Sequence, residues 1–154
     1  MNNKEMMLNV FRQQGKADAL DLRNRAPEMD GTGVIAEEEK IPAFDSQKDY
    51  SGWKAGQPVT DEGQVWLLIQ PYNAAHFEGR PSTLRALWGL AHTKDPKKAK
   101  EFVAPYGTSG LWKLDECCTE NGRVYRNLYD GHEYPPSVLP ERWEDLGTVE
   151  EVQG

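Results

Sequence analysis

The pattern of apolar and polar positions divides the chain into three stretches of different character. Between residues 4 and 26 the apolar side chains Met6, Met7, Val10 and Phe11, then Ala17, Leu20 and Leu22, recur at helical spacing. This predicts a helix, broken or kinked near Gly15 and closed by Pro27. So narrow an apolar stripe cannot fold alone, so the arm is expected to pack on the rest of the chain or on a second copy. From Glu28 to Phe44 turn residues, an acidic run and Pro42 read as a connector, with one short extended piece near Gly33 to Ala36. From residue 45 onward short alternating runs bounded by Gly, Asn and Pro indicate strands.

Within that last stretch the chain repeats itself. WKAGQPVTDEGQVWLLI from Trp53 to Ile69 and WKLDECCTENGRVYRNL from Trp112 to Leu128 align at one constant offset. The alignment pairs Trp53 with Trp112, Thr60 with Thr119, Gly63 with Gly122, Val65 with Val124 and Trp66 with Tyr125. Each copy then closes on a Pro-Ser and a tryptophan at equal spacing, Pro81, Ser82 and Trp88 against Pro136, Ser137 and Trp143. Glu62-Gly63 and Asn121-Gly122 sit where a two-residue hairpin turn needs positive φ. Counting outward from those turns sets Val59 opposite Trp66 and Cys118 opposite Tyr125, a small residue facing a large aromatic in both copies. Trp66, Trp88, Tyr125 and Trp143 are therefore expected in the core, while Trp53 and Trp112 are open between core and ligand contact. The expected fold is mainly β with an N-terminal α-helical arm: helix and connector over residues 1–44, then two tandem small three-stranded antiparallel β modules over 45–100 and 101–154.

Composition narrows the function. With 38% hydrophobic and 28% charged residues the chain can build a core, and its net charge of -7 opposes a phosphate backbone. Nucleic acid is therefore not an expected partner; the basic run Lys94 to Lys100 reads as solvated surface. No apolar run reaches the roughly 20 residues of a membrane span, and the N-terminus carries Glu5 and Arg12 where a signal peptide needs an apolar segment. Synthesis in the cytoplasm without a signal peptide, and no membrane partner, are the expectations. Cys117 and Cys118 are sequence neighbours and cannot form a conventional bridge, so they read as reduced, structural thiols. No nucleophile elbow, phosphate loop or HExxH helix is present, and His76, His92 and His132 are scattered singly. No catalytic residue, metal or cofactor is expected, and the chain reads as a non-enzyme.

The repeated residues resemble the chitin-binding type 3 modules, carbohydrate-binding module families five and twelve. Gly56-Gln57-Pro58-Val59, Gly63, Trp66, Pro81 and Trp88 carry the likeness in the first copy. Gly122, Tyr125, Pro136 and Trp143 carry it in the second, which has Asp115 and Cys118 where the family has its first Gly and its Val. The resemblance implies a sugar-stacking aromatic just after the second hairpin strand, which is Tyr129 here, followed by Asp130 where the family commonly has tryptophan. Tyr72 is the nearest equivalent in the first copy, and Trp53, Trp112 and Tyr134 complete the candidate carbohydrate-binding set. The stretch DEGQVWLLIQPYNAAHFEGRPSTLRALWGLAHTKDP also looks like small proteins encoded beside tail genes in prophages of Gram-positive bacteria. That implies a virion-associated chain recognising a bacterial surface or chitin-like glycan, with other phage tail proteins as partners and a homo-oligomeric state. The alternative is a structural tail or baseplate assembly protein whose modules serve as protein docking surfaces.

Overall fold

The computed structural model describes residues 2–154. Helix α1 (Asn3–Arg25) begins at a capping box: the Asn2 side chain accepts from the Glu5 amide at 2.8 Å, and the Glu5 carboxylate accepts from the Asn2 amide at 3.2 Å. It runs unbroken through Gly15. A glycine there costs about 1 kcal/mol relative to alanine, which a capped helix of this length absorbs without a break. Along α1 only Leu22 is buried; it packs with Ala26, Val34, Ile35, Ile41, Val65 and Ala91.

The connector is helical where an extended piece was expected. Asp30 caps α2 (Gly31–Ala36) by accepting from the Gly33 amide at 2.8 Å, and Val34 and Ile35 are fully buried. Gly31 is required at its first position, because a Cβ there would lie 2.2 Å from the His92 carbonyl oxygen. Arg25 and Lys40 hold the Glu37 carboxyl at the end of α2, and their hydrogen bonds, Arg25 first, lower its pKa to about 2.

Strands β1 (Pro58–Asp61), β2 (Gln64–Leu68) and β3 (Trp88–Leu90) form one antiparallel sheet in that order. A second sheet contains β4 (Lys100–Glu101), β5 (Cys117–Glu120), β6 (Arg123–Asn127) and β7 (Trp143–Thr148), followed by α3 (Val149–Gln153). The two hairpins have the same register, Val59 opposite Trp66 and Cys118 opposite Tyr125. Their turns have the same backbone, with φ of 52° and 75° at Glu62 and Gly63 and of 52° and 77° at Asn121 and Gly122. The bend ahead of each hairpin also repeats: the Lys54 amide donates to the Gln57 side chain at 2.9 Å, and the Lys113 amide to the Glu116 carboxylate at 2.7 Å. Asp115 adopts the left-handed conformation that Gly56 supplies in the first copy, with φ of 70° against 91°.

The expected mainly-β class is corrected by the structure. It is 32% helical and 24% strand, a mixed α/β fold with sheets of three and four strands. Leu22 near the end of α1 and Val34 and Ile35 of α2 join Val65 of β2 in one buried cluster, so α2 and the last turn of α1 are part of the folded body. The second sheet gains a parallel edge, Lys100 beside Cys118 and Glu101 beside Thr119, where three antiparallel strands were expected. That edge is tied by the Phe102 amide donating to the Thr119 carbonyl at 2.9 Å and the Thr119 hydroxyl to the Glu101 carboxylate at 3.1 Å. Two residues carry no alternation, so the pattern had no means of signalling it.

Each sheet has its own aromatic core. Tyr50, Trp66, Tyr72 and Trp88 fill the first, and Trp112, Cys118 and Trp143 the second, with Phe102 and Tyr125 partly buried against it. The two meet where the His92 ring stacks on Trp112, centroids 3.6 Å apart, and where the Cys117 amide donates to the Thr93 carbonyl at 2.7 Å. No helix among the described residues is long and apolar enough to cross a membrane.

Gly122→Val is expected to destabilise the protein by more than about 1 kcal/mol, because a β-branched residue resists positive φ. A Cβ there would meet nothing within 4 Å, so the loss is one of backbone strain alone. Thermal melts check it, and an unchanged midpoint would contradict the turn's role. Leu22→Ala is expected to cost about 2–4 kcal/mol in denaturant unfolding. Phe11→Ala, at a residue 66% exposed, should change the midpoint little.

Candidate functional site

The loop leaving β6 is built around one buried amide. Asn127 is fully buried, and its Nδ2 is shared among the carbonyls of Trp112, Lys113 and Tyr129 at 3.0, 2.7 and 2.7 Å. Its Oδ1 accepts from the Tyr129 amide at 3.1 Å and from His132 Nε2 at 2.5 Å. His132 in turn accepts the Tyr134 amide on Nδ1 at 3.2 Å, an arrangement that only the neutral, Nε2-protonated ring satisfies. Trp143 stands edge-on to the His132 ring and donates its indole N–H to the Tyr134 carbonyl at 2.9 Å. Residues 127–134 are thereby fixed from inside, and what the loop presents outside is fixed with them.

It presents two tyrosines. Tyr129 is 53% exposed and Tyr134 40%, and the Arg142 guanidinium lies 5.1 Å from the first ring centre and 5.9 Å from the second. Two exposed rings sharing one cation make a surface that is apolar on the rings and rich in hydrogen-bond donors beside them. Val138, 58% exposed, belongs to the same connection between β6 and β7.

The other three candidates lie elsewhere. Tyr72 is 7% exposed; its hydroxyl accepts from the Trp88 indole at 2.8 Å and its ring packs on Tyr50, Phe77 and Trp88. Trp112 is buried between His92 and Phe102. Trp53 is half-buried against Tyr50, with the Arg23 guanidinium 4.8 Å over its ring. The copies diverge at one aligned position: where the second has Asn127, the first has Leu68, buried among the aromatics. In the first loop Tyr72 turns inward and packs in the same buried cluster as Leu68. Of the five candidates the structure therefore brings Tyr129 and Tyr134 together and leaves Tyr72, Trp53 and Trp112 to packing.

Asn127 and Arg142 were not singled out in the sequence and His132 was read as a scattered histidine, although a polar residue aligned with a core leucine was a usable signal for Asn127. The pairing of His92 with Glu116 was also unforeseen. His92 Nδ1 lies 2.9 Å from the Glu116 carboxylate at the edge of a cleft of about 320 Å³ between the sheets, lined also by Gly31, Leu90, Lys113 and Asp130. A histidine on a carboxylate is the pairing that general bases use. Here the ring is 8% exposed and pressed on Trp112, and the same Glu116 oxygen accepts the Lys113 amide, so the pair closes a turn and joins the sheets.

Cys117 and Cys118 are free and buried. Burial raises the Cys117 thiol to about 11 and pushes Cys118 higher still, which suits core packing and opposes thiolate chemistry. No group of three or more His, Cys, Asp or Glu side chains among the described residues is placed to hold a metal ion. No family model matches the chain, and a search among curated proteins finds no match.

Burial, and then the nearby Arg142 charge, lower the His132 pKa below its ordinary value. The unfolded chain binds this proton near pH 6.5, whereas the folded loop needs the neutral ring. The contribution to stability is thus complete above about pH 6.5 and is lost as the pH falls through the lower folded value. Melting temperatures between pH 7.5 and 5 should fall in the wild type and fall less in His132→Gln. A parallel decline in both would contradict the assignment.

Proposed function

We propose that the chain is a non-catalytic glycan-binding protein whose ligand stacks on Tyr129 and Tyr134, with Arg142 close to both rings. The observation that carries this reading is the pair of exposed rings on a loop fixed by a fully buried asparagine. An exposed aromatic ring offers its face to the apolar face of a pyranose, and a ring already held in place loses little freedom on binding. The guanidinium beside the rings supplies donors for sugar hydroxyls. Tyr129 also occupies the position that the resemblance to chitin-binding modules marks for sugar stacking. The same resemblance points to a chitin-like or bacterial surface glycan as ligand. The likeness to prophage tail-encoded proteins suggests a virion-associated chain with tail proteins as neighbours.

The test is retention on insoluble chitin and on purified bacterial cell walls. Tyr129→Ala should weaken binding by about 1–2 kcal/mol, on the order of tenfold, and the double variant with Tyr134→Ala should abolish it. Trp143→Phe keeps most of its volume in the core but loses the indole hydrogen bond to the Tyr134 carbonyl, so it should lower the melting temperature and weaken binding far less than Tyr129→Ala does. Equal retention of wild type and the double variant would overturn the site. Absence of retention of the folded wild type on both materials would overturn the glycan reading itself.

A further inference from the structure

Helix α1 is docked on one side only, through Leu22 and the Ala26 that follows it. On the opposite side, roughly 160° around at 100° per residue, four apolar residues share a line with three amides. Met6, Val10 and Leu20 on that line are 53%, 62% and 46% exposed. With Ala17 they fall into a heptad: Val10 and Ala17 at a, Met6 and Leu20 at d. Asn3 and Asn24 occupy the flanking a positions, and Gln13 the intervening d.

We propose that this line is the seam of a parallel two-stranded coiled coil formed with a second copy of the chain. Three features of the helix select that occupant. First, the seam lies away from the docked face, so pairing leaves the body in place. Second, the positions flanking the seam hold one complementary pair for parallel pairing: Lys16 at g faces Asp21 at e of the partner helix, where Asp21 also accepts from Arg25 of its own helix at 3.0 Å and its side chain is 66% exposed. In an antiparallel pair g meets g and e meets e, and these two residues never face each other. Third, β-branched Val10 at a with Leu20 at d, and Asn24 at a, are the choices that favour two strands in fixed register. The capping box at Asn2 and Glu5 begins the helix just ahead of the first seam residue, so the whole seam is presented as helix. Pairing would bring two Tyr129–Tyr134 surfaces into one particle, although the inference does not depend on what those surfaces bind.

Sedimentation equilibrium of the full chain between about 1 and 100 µM should give twice the chain mass at the upper end. Val10→Asp should weaken association at least tenfold and leave the near-ultraviolet spectrum of the aromatic cores unchanged. Asn3→Cys should cross-link to a dimer on mild oxidation. In a parallel pair the two Asn3 positions adjoin, while in an antiparallel one they lie about 30 Å apart. The wild type should not cross-link, because both native thiols are buried. A monomer throughout the range, a dimer indifferent to Val10→Asp, or no cross-linking of Asn3→Cys would each overturn the proposal. So would a monomer that instead co-sediments with phosphatidylglycerol vesicles, which would assign the apolar line to a lipid surface.

Discussion

Two left-handed turns, Glu62-Gly63 and Asn121-Gly122, fix which side chains can meet in each sheet. A two-residue turn at positive φ admits one register, and a slip by a single residue would exchange the buried and exposed faces of both hairpin strands. In that register Val59 meets Trp66, and Trp66 continues across to Leu90. Cys118 meets Tyr125, and the aligned second strand ends on Asn127 opposite Trp143. The position of the amide that holds the Tyr129 loop is therefore set by a turn at the far end of the strand. The cost of the turn falls on Glu62 and Asn121, which adopt positive φ without being glycine, and the paired aromatics offset it.

The parts of this fold that depend on local chemistry were legible in the sequence. Asn121-Gly122 marks its turn directly, and Glu62-Gly63 follows by alignment, so both hairpins and their registers could be counted out. Cys118 could be placed as a small core residue because the aligned position holds Val59. The parts that depend on distant partners were not legible. α2 has six residues with two glycines, and it is helical because Asp30 caps it and Val34 and Ile35 have a cavity beneath β2 to fill. β4 is two residues long and exists because β5 leaves an edge beside it. Likewise Tyr72 joins the buried cluster that holds Leu68, and the placing of Tyr129 depends on its hydrogen bonds to Asn127. The alignment showed that difference, but only the hydrogen bonds of the amide give it meaning.

The two copies have diverged toward different ends. The first invests its aromatics inward: Tyr50, Tyr72 and Trp88 make a closed cluster that also receives Phe44 and Trp53. The second has a smaller core, with a cysteine where the first has valine, and keeps two rings outside on a polar scaffold. A buried amide satisfied by several partners rigidifies the backbone around it, whereas the same group left unpaired would be costly. His92 on Trp112 joins the two sheets, so the exposed loop is held by a body larger than its own sheet.

The claim that matters most is that this surface, and not the cleft beside His92, is where a ligand sits. Backbone and side-chain NMR shifts of the full chain would locate it during titration with a soluble N-acetylglucosamine oligomer. Perturbations are expected to saturate and to centre on Tyr129, Tyr134 and Arg142, leaving the neighbourhood of Gly31, His92 and Glu116 unmoved. Saturable shifts centred on the cleft, or none anywhere in the folded chain, would contradict the claim.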